Sequence, residues 1–194
     1  MPKLGMEPIR REALVKATIA EIGVVGNLDV TVSKIAKRAG MSSALAHHYF
    51  GGKEQIFLAA MRYTLSLYGQ EVRAALAKAD GHPARLEAVI RAGFAESNFR
   101  PEAIAAWLNF YVLAQTSSEA NHLLTIYQRR LRSNLLHDLR PLIGPRADAV
   151  AIRIAGMIDG LYLRQALTQT AQQGQDAVTH VLHILDQELK ERPQ

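Results

Sequence analysis

Apolar residues recur along this chain at helical rather than alternating spacing. Over residues 8–23, Val15, Thr18, Ile19 and Ile22 share one face, and the Gly-Asn pair at 26–27 predicts where that helix stops. Thr31 stands as an N-cap before Val32, Ile35, Ala36 and Ala39, and Gly40 ends the short helix that these residues define. Ser42 caps another short helix, which runs to Tyr49 and Phe50 and stops at Gly51 and Gly52. A long helix begins near Lys53, with Phe57, Met61, Leu65 and Tyr68 along one edge.

The sequence DGHP at 80–83 is the clearest break. Beyond it the pattern predicts helices near 84–97, 101–115, 119–140, 147–171 and 175–190, with Pro141 and GPR at 144–146 separating the last two from the rest. Strict alternation is absent, although DVTV at 29–32 would pass for a strand in isolation. The expected fold is all-α, with about nine helices.

Composition narrows the function classes. The chain has 194 residues, 48% of them apolar and none of them cysteine, so a sizeable core forms without disulfides, as suits a reducing cytosol. Its N-terminus lacks the apolar segment of a signal peptide, and no apolar run reaches the ~18 residues of a membrane span. A cytoplasmic protein is the expectation. Net charge is +5, and residues 1–55 hold 8 Lys and Arg against 5 Asp and Glu, more than half of the excess. A basic N-terminal block suits a polyanionic partner.

Residues 31–50 explain that block. Two short helices joined by AGMS form a tight, glycine-containing turn that sets them steeply against each other, the helix-turn-helix arrangement. Ala36 is small where the helices cross, Gly40 suits a left-handed end, and Met41, Ala46, Phe50 and Tyr49 supply the inner face. The outer face is Ser43, Ala44, Leu45, His47 and His48, groups able to enter a major groove and meet phosphates and base edges. A metal site is a poor alternative. His47 and His48 are adjacent, so on a helix they point about 100° apart, and no third ligand follows at zinc-like spacing.

The segment TVSKIAKRAGMSSALAHHYFGGKEQIF resembles the DNA-binding region of the TetR/AcrR family of bacterial repressors. The resemblance implies a three-helix DNA-binding domain, expected over 1–52, and a helical ligand-binding and dimerisation domain over 53–194. It implies that Thr31 caps its helix and meets a phosphate, with Ser33 and Lys34 facing the DNA backbone. Ser42, Ser43, Ala44 and Leu45 would form the leading edge of the recognition helix. His47 stands where the family usually has a phosphate-contacting tyrosine, His48 follows it, and Lys53 takes the place of a phosphate-binding lysine. AWLNFY at 106–111 and IDGLYLRQAL at 158–167 extend the resemblance along the chain, to a choline-responsive branch that controls choline uptake and glycine betaine synthesis. The implied partners are double-stranded palindromic operator DNA, a small-molecule effector and a second copy of the chain.

In the larger region, Trp107, Phe110 and Tyr111 read equally as helix core and as part of an aromatic box. Such a box suits a quaternary ammonium such as choline, whose methylated head is best held by π-faces. Tyr127, Tyr162 and Asp159 would complete it. Asp159 lies in an otherwise apolar run, so it needs either an arginine, for which Arg153 and Arg164 are candidates, or a cationic ligand. Ile154, Ile158 and Leu161, with Val178, Leu182, Leu185 and Leu189, present more apolar surface than one core needs and are expected to form the dimer interface. No phosphate loop, nucleophile elbow or metal-ligand cluster is present, so no catalytic residue, metal or cofactor is expected. The remaining alternatives are a repressor of the same family that responds to another small ligand, cationic or multidrug, and a DNA-binding factor without a ligand.

Overall fold

The structure, a computed structural model, describes residues 5–168 and 173–191. Among these residues there are nine α-helices and no strand. They are α1 (Met6–Val25), α2 (Val32–Arg38), α3 (Ser43–Phe50), α4 (Lys53–Leu76), α5 (His82–Gly93), α6 (Pro101–Leu113), α7 (Ser118–Ile143), α8 (Ala147–Thr168) and α9 (Gln173–Lys190). Single 3-10 turns occupy Glu96–Phe99 and Gly144–Arg146.

Two boundaries differ from the sequence pattern for local reasons. The fifth helix stops at Gly93 rather than near 97, because the Asn98 side chain donates to the Ala92 carbonyl at 3.0 Å and turns the chain over. The seventh continues through Pro141 to Ile143. So close to a helix end, proline removes one backbone bond without breaking the segment. The expected end of the eighth helix at 171 lies outside the described residues.

The chain forms two compact units. Met1–Ser66 with Arg100–Leu124 makes the first, and Leu67–Phe99 with Thr125–Gln194 the second. This division is not at 52/53. The opening turns of α4 carry Ile56 and Phe57 into the first core, beside Leu14, Ile22, Val30, Ile35 and Ala46.

In the first unit α1 lies close against α6. A Cβ at Gly23 would sit 2.7 Å from the Glu102 Cβ and 2.8 Å from its Cα, so only glycine admits that approach. Nearby, Asn109 donates to the Gly26 carbonyl at 3.0 Å, capping the end of α1, and Gly26 itself has the left-handed φ of 78°. Trp107 and Phe110 are buried, with their rings edge-on at 6.0 Å. In this unit they are core side chains.

The second unit buries carboxylates together with cations. Asp138 on α7 is 1% exposed and accepts from Arg85 Nε at 3.0 Å and from His82 Nδ1 at 2.9 Å. Glu188 on α9 is buried against Arg146 and Arg153, at 2.9 and 2.6 Å. Its apolar core takes Ile154, Ile158, Val178 and Leu185, all buried. That corrects the expected dimer face, because these side chains cover the chain's own interior, while Leu161, Leu182 and Leu189 are half-buried. The exposed apolar stripe of α8 is a different one: Ile152, Gly156, Gly160, Leu163 and Leu167.

The Gly23 approach yields a measurable expectation. Gly23→Ala should lower stability by about 1–3 kcal/mol in denaturant unfolding, since overpacking outweighs the gain of ~1 kcal/mol in helix propensity. An unchanged or raised midpoint would show that α1 and α6 have room to separate.

Candidate functional site

The α2–α3 pair is built as its caps require. Thr31 Oγ1 accepts from the Lys34 amide and Ser42 Oγ from the Leu45 amide, each at 3.2 Å, fixing the first turn of both helices. Gly40 between them has a φ of 67°. Ala46 is fully buried, with Met41, Tyr49 and Phe50 partly buried around it. Thr31, Ser33, Lys34, Ser42, Ala44, His47, His48 and Lys53 are exposed, whereas Ser43 and Leu45 are half-buried. The structure thus leaves one polar, weakly basic face of a short helix open.

Two arginines that the sequence pattern does not single out hold that helix in place. Arg11 of α1 donates to the Tyr49 carbonyl at 2.6 Å, and its guanidinium lies 4.5 Å from the centre of the Phe50 ring. A cation there meets the negative end of α3 and an aromatic face at once. Arg10 reaches the Tyr49 hydroxyl at 3.5 Å. Only their adjacency in the sequence hinted at this, because their partners lie 38 and 39 residues away.

His47 has a defined tautomer. Its Nδ1 lies 3.1 Å from the Gly51 carbonyl oxygen, which can only accept, so Nδ1 carries the proton. In the neutral ring Nε2 is then a lone pair, which cannot donate to a phosphate oxygen. Only the imidazolium can. Among the described residues no group of His, Cys, Asp or Glu gathers as metal ligands would.

The candidate effector residues divide between the units. Trp107, Phe110 and Tyr111 belong to the first, and Tyr127, Asp159 and Tyr162 to the second. Asp159 has no arginine partner: Arg153 pairs with Glu188, and no ion pair joins Arg164 to Asp159 among the described residues. Among the described residues its hydrogen bond is from the Tyr127 hydroxyl at 2.8 Å. Burial pushes the Asp159 carboxyl above its usual range, and the Tyr127 bond opposes this only in part. A raised carboxylate contributes stability that is present at low pH and lost as pH rises through its folded value. At neutral pH the ionised group is therefore a cost that a cation would offset.

Tyr68 of α4, seen in the sequence only as part of an apolar edge, completes this arrangement. Its ring meets Tyr127 edge to face, with centres 5.7 Å apart. Burial foremost, then the charges of Asp159 and Glu71, push its hydroxyl far above the ordinary range. Tyr162 stacks at 5.2 Å from Phe99 and donates its hydroxyl to the Asn98 carbonyl at 3.0 Å. Two aromatic rings beside an unneutralised carboxylate can hold a cation that lacks hydrogen-bond donors of its own.

Known proteins match both parts of the chain. Residues 14–60 match the bacterial regulatory proteins of the tetR family, and residues 82–190 match the C-terminal region of the BetI-type transcriptional repressors. The HTH-type transcriptional regulator BetI of Brucella anthropi is 49% identical over 93% of this chain and 94% of its own. That of Agrobacterium fabrum is 46% identical over 100% and 94%. A transcriptional regulator from Pseudomonas aeruginosa PAO1 has the same fold, with a TM-score of 0.83, 24% identity and coverage of 94% and 91%. A regulator from Saccharomonospora viridis, solved in complex with choline, superposes with a TM-score of 0.82 at 20% identity, over 94% and 98%.

The placement of His47 has a test on DNA. His47→Ala should weaken binding to all sequences alike and lower the salt dependence of affinity, as loss of a phosphate contact does, and His47→Tyr should keep binding, as read by fluorescence anisotropy on a labelled duplex. A His47→Ala variant with wild-type affinity and salt dependence would remove His47 from the interface.

Proposed function

The chain belongs to the TetR family of bacterial regulatory proteins and is a BetI-type transcriptional repressor, and on that premise we propose that a quaternary ammonium cation, choline first among candidates, relieves its repression by binding at Asp159. The observation that carries this reading is a part-buried carboxylate held by a tyrosine hydroxyl, with the Tyr68–Tyr127 ring pair beside it. A buried charge without a counter-charge is expensive, and a cationic effector supplies one without demanding hydrogen bonds. Choline bound to a regulator of the same fold supports the choice. The genes controlled would be those for choline uptake and glycine betaine synthesis, and the site of action the cytoplasm, where the operator lies. No described helix is long and apolar enough to cross a membrane.

In this reading residues 1–52 bind DNA and 53–194 sense and dimerise. Thr31, Ser33, Lys34 and Lys53 contact the phosphate backbone, and the α3 face from Ser42 to His48 enters the major groove. A palindromic operator presents half-sites about one helical turn apart, ~34–36 Å, so a dimer reads both only at one spacing of its recognition helices. Effector binding selects a population with a different spacing. Trp107 and Phe110 serve the core of the first unit.

The dimer would form through the exposed face of α8, where Gly156 and Gly160 carry no side chain between Ile152 and Leu163. Such glycines let a second helix approach closely, and the flanking apolar residues give the contact a dry centre. Ile184 of α9 borders the same surface, in a hollow it shares with Ile152, Gly156 and Met157. Ile152→Asp combined with Leu167→Asp should yield a folded monomer by sedimentation, with unchanged helicity and at least tenfold weaker operator binding. A variant that remains dimeric would place the interface elsewhere.

The effector reading is tested on the operator complex itself. Choline should release wild-type protein from its own upstream region in a footprint. Asp159→Asn should bind the same DNA and require at least tenfold more choline for release. A wild-type complex indifferent to choline, or an Asp159→Asn variant with the wild-type response, would overturn it.

A further inference from the structure

Of the carboxylates of the second unit that are not exposed, Glu71 joins Asp159 in having no cation partner among the described residues. It lies one turn beyond Tyr68 on α4, and its Oε1 accepts from Ser97 Oγ at 2.6 Å. Its Oε2 is buried and accepts no hydrogen bond among the described residues. Asp138 and Glu188 show that this unit supplies arginines to buried carboxylates elsewhere. Glu71 and Asp159 instead receive only hydroxyl donors, Ser97 and Tyr127. Tyr68 links the two acids: it lies one turn from Glu71 on α4, and its ring meets that of Tyr127, whose hydroxyl donates to Asp159.

We propose that Glu71 sets the specificity of the effector site: its Oε2 accepts a hydrogen bond from a hydroxyl on the same cation whose charged head is held by Asp159, Tyr68 and Tyr127. This rests on the reading of Asp159 given above. A trimethylammonium head has no donor to offer, so it neutralises Asp159 but cannot satisfy Glu71. A buried acceptor left unpaired is costly, and a hydroxyl at the far end of a short cation removes that cost. One positive charge against two carboxylates also leaves a net negative site. That site accepts a hydroxyalkyl trimethylammonium and rejects a trimethylammonium that carries its own carboxylate. The alcohol is distinguished from the corresponding acid by one residue.

Calorimetric titration of the full-length protein separates these roles, with three ligands: choline, n-propyltrimethylammonium (a methyl in place of the hydroxyl) and glycine betaine. Wild type should bind choline at least tenfold more tightly than n-propyltrimethylammonium and should not bind glycine betaine, because a site built around a hydroxyl rejects the analogue lacking it. Glu71→Met should bring the two cations to within about threefold of each other, by loss of choline affinity alone. Glu71→Gln, which keeps an acceptor without the charge, should retain the hydroxyl preference and admit glycine betaine. Should Glu71→Met fail to fold, admission of glycine betaine by Glu71→Gln decides the matter. A wild-type ratio in Glu71→Met, with binding of every cation lost in Asp159→Asn, would overturn the role of Glu71 and leave that of Asp159 standing. Wild type that binds no cation would overturn both.

Discussion

Pairing of buried carboxylates with arginine and histidine organises the second unit. Asp138 draws Arg85 and His82 of α5 onto α7, and Glu188 draws Arg146 and Arg153 onto α9. In each case several donors converge on one acid, the condition under which a buried ion pair recovers its desolvation cost. Against that rule two acids stand out. Asp159 and Glu71 each accept from a single hydroxyl and have no cation partner among the described residues. The proposed cation site rests on this contrast between paired acids and two acids beside a tyrosine ring pair.

The first unit depends on a different constraint, the close approach of α1 and α6. Gly23 lets α6 come in, Asn109 ties it to the end of α1, and Arg11 at the other end of α1 clamps the Tyr49 carbonyl of the recognition helix. The exposed face of α3 is therefore oriented by residues that lie outside it. Their effect on specificity would be through orientation, which is why substitution in them should resemble a loss of affinity for every sequence rather than a change of preferred base.

Much of this was legible in the sequence because the signals are local. Caps at Thr31 and Ser42, a left-handed glycine at 40 and a helical apolar period are properties of neighbouring residues, and the structure shows each in place. What failed was non-local. Helical period identified apolar stripes on α8 and α9 but not which stripe faces inward, so Ile154, Ile158, Val178 and Leu185 were assigned to a partner when the chain's own core takes them. Asp159 was conspicuous as a lone acid in an apolar run, yet its lack of an arginine could be seen only once Arg153 was found with Glu188. Glu71 left no trace, since an acid on an amphipathic helix is indistinguishable from a solvated one until its surroundings are known. The AWLNFY aromatics were ambiguous for the same reason, and two of the three are buried in the first unit.

Coupling of cation binding to proton release tests the central claim most directly. Burial raises the Asp159 carboxyl above its usual range, and a bound cation must lower it again. Choline binding should therefore release a proton at mildly acidic pH and almost none at pH 8, with affinity falling as pH falls. Calorimetry in buffers of different ionisation enthalpy measures the number of protons released. Release that grows toward acidic pH, and disappears in Asp159→Asn, is the predicted result. Choline binding with no proton exchange and no pH dependence would contradict the assignment of Asp159 as the counter-charge.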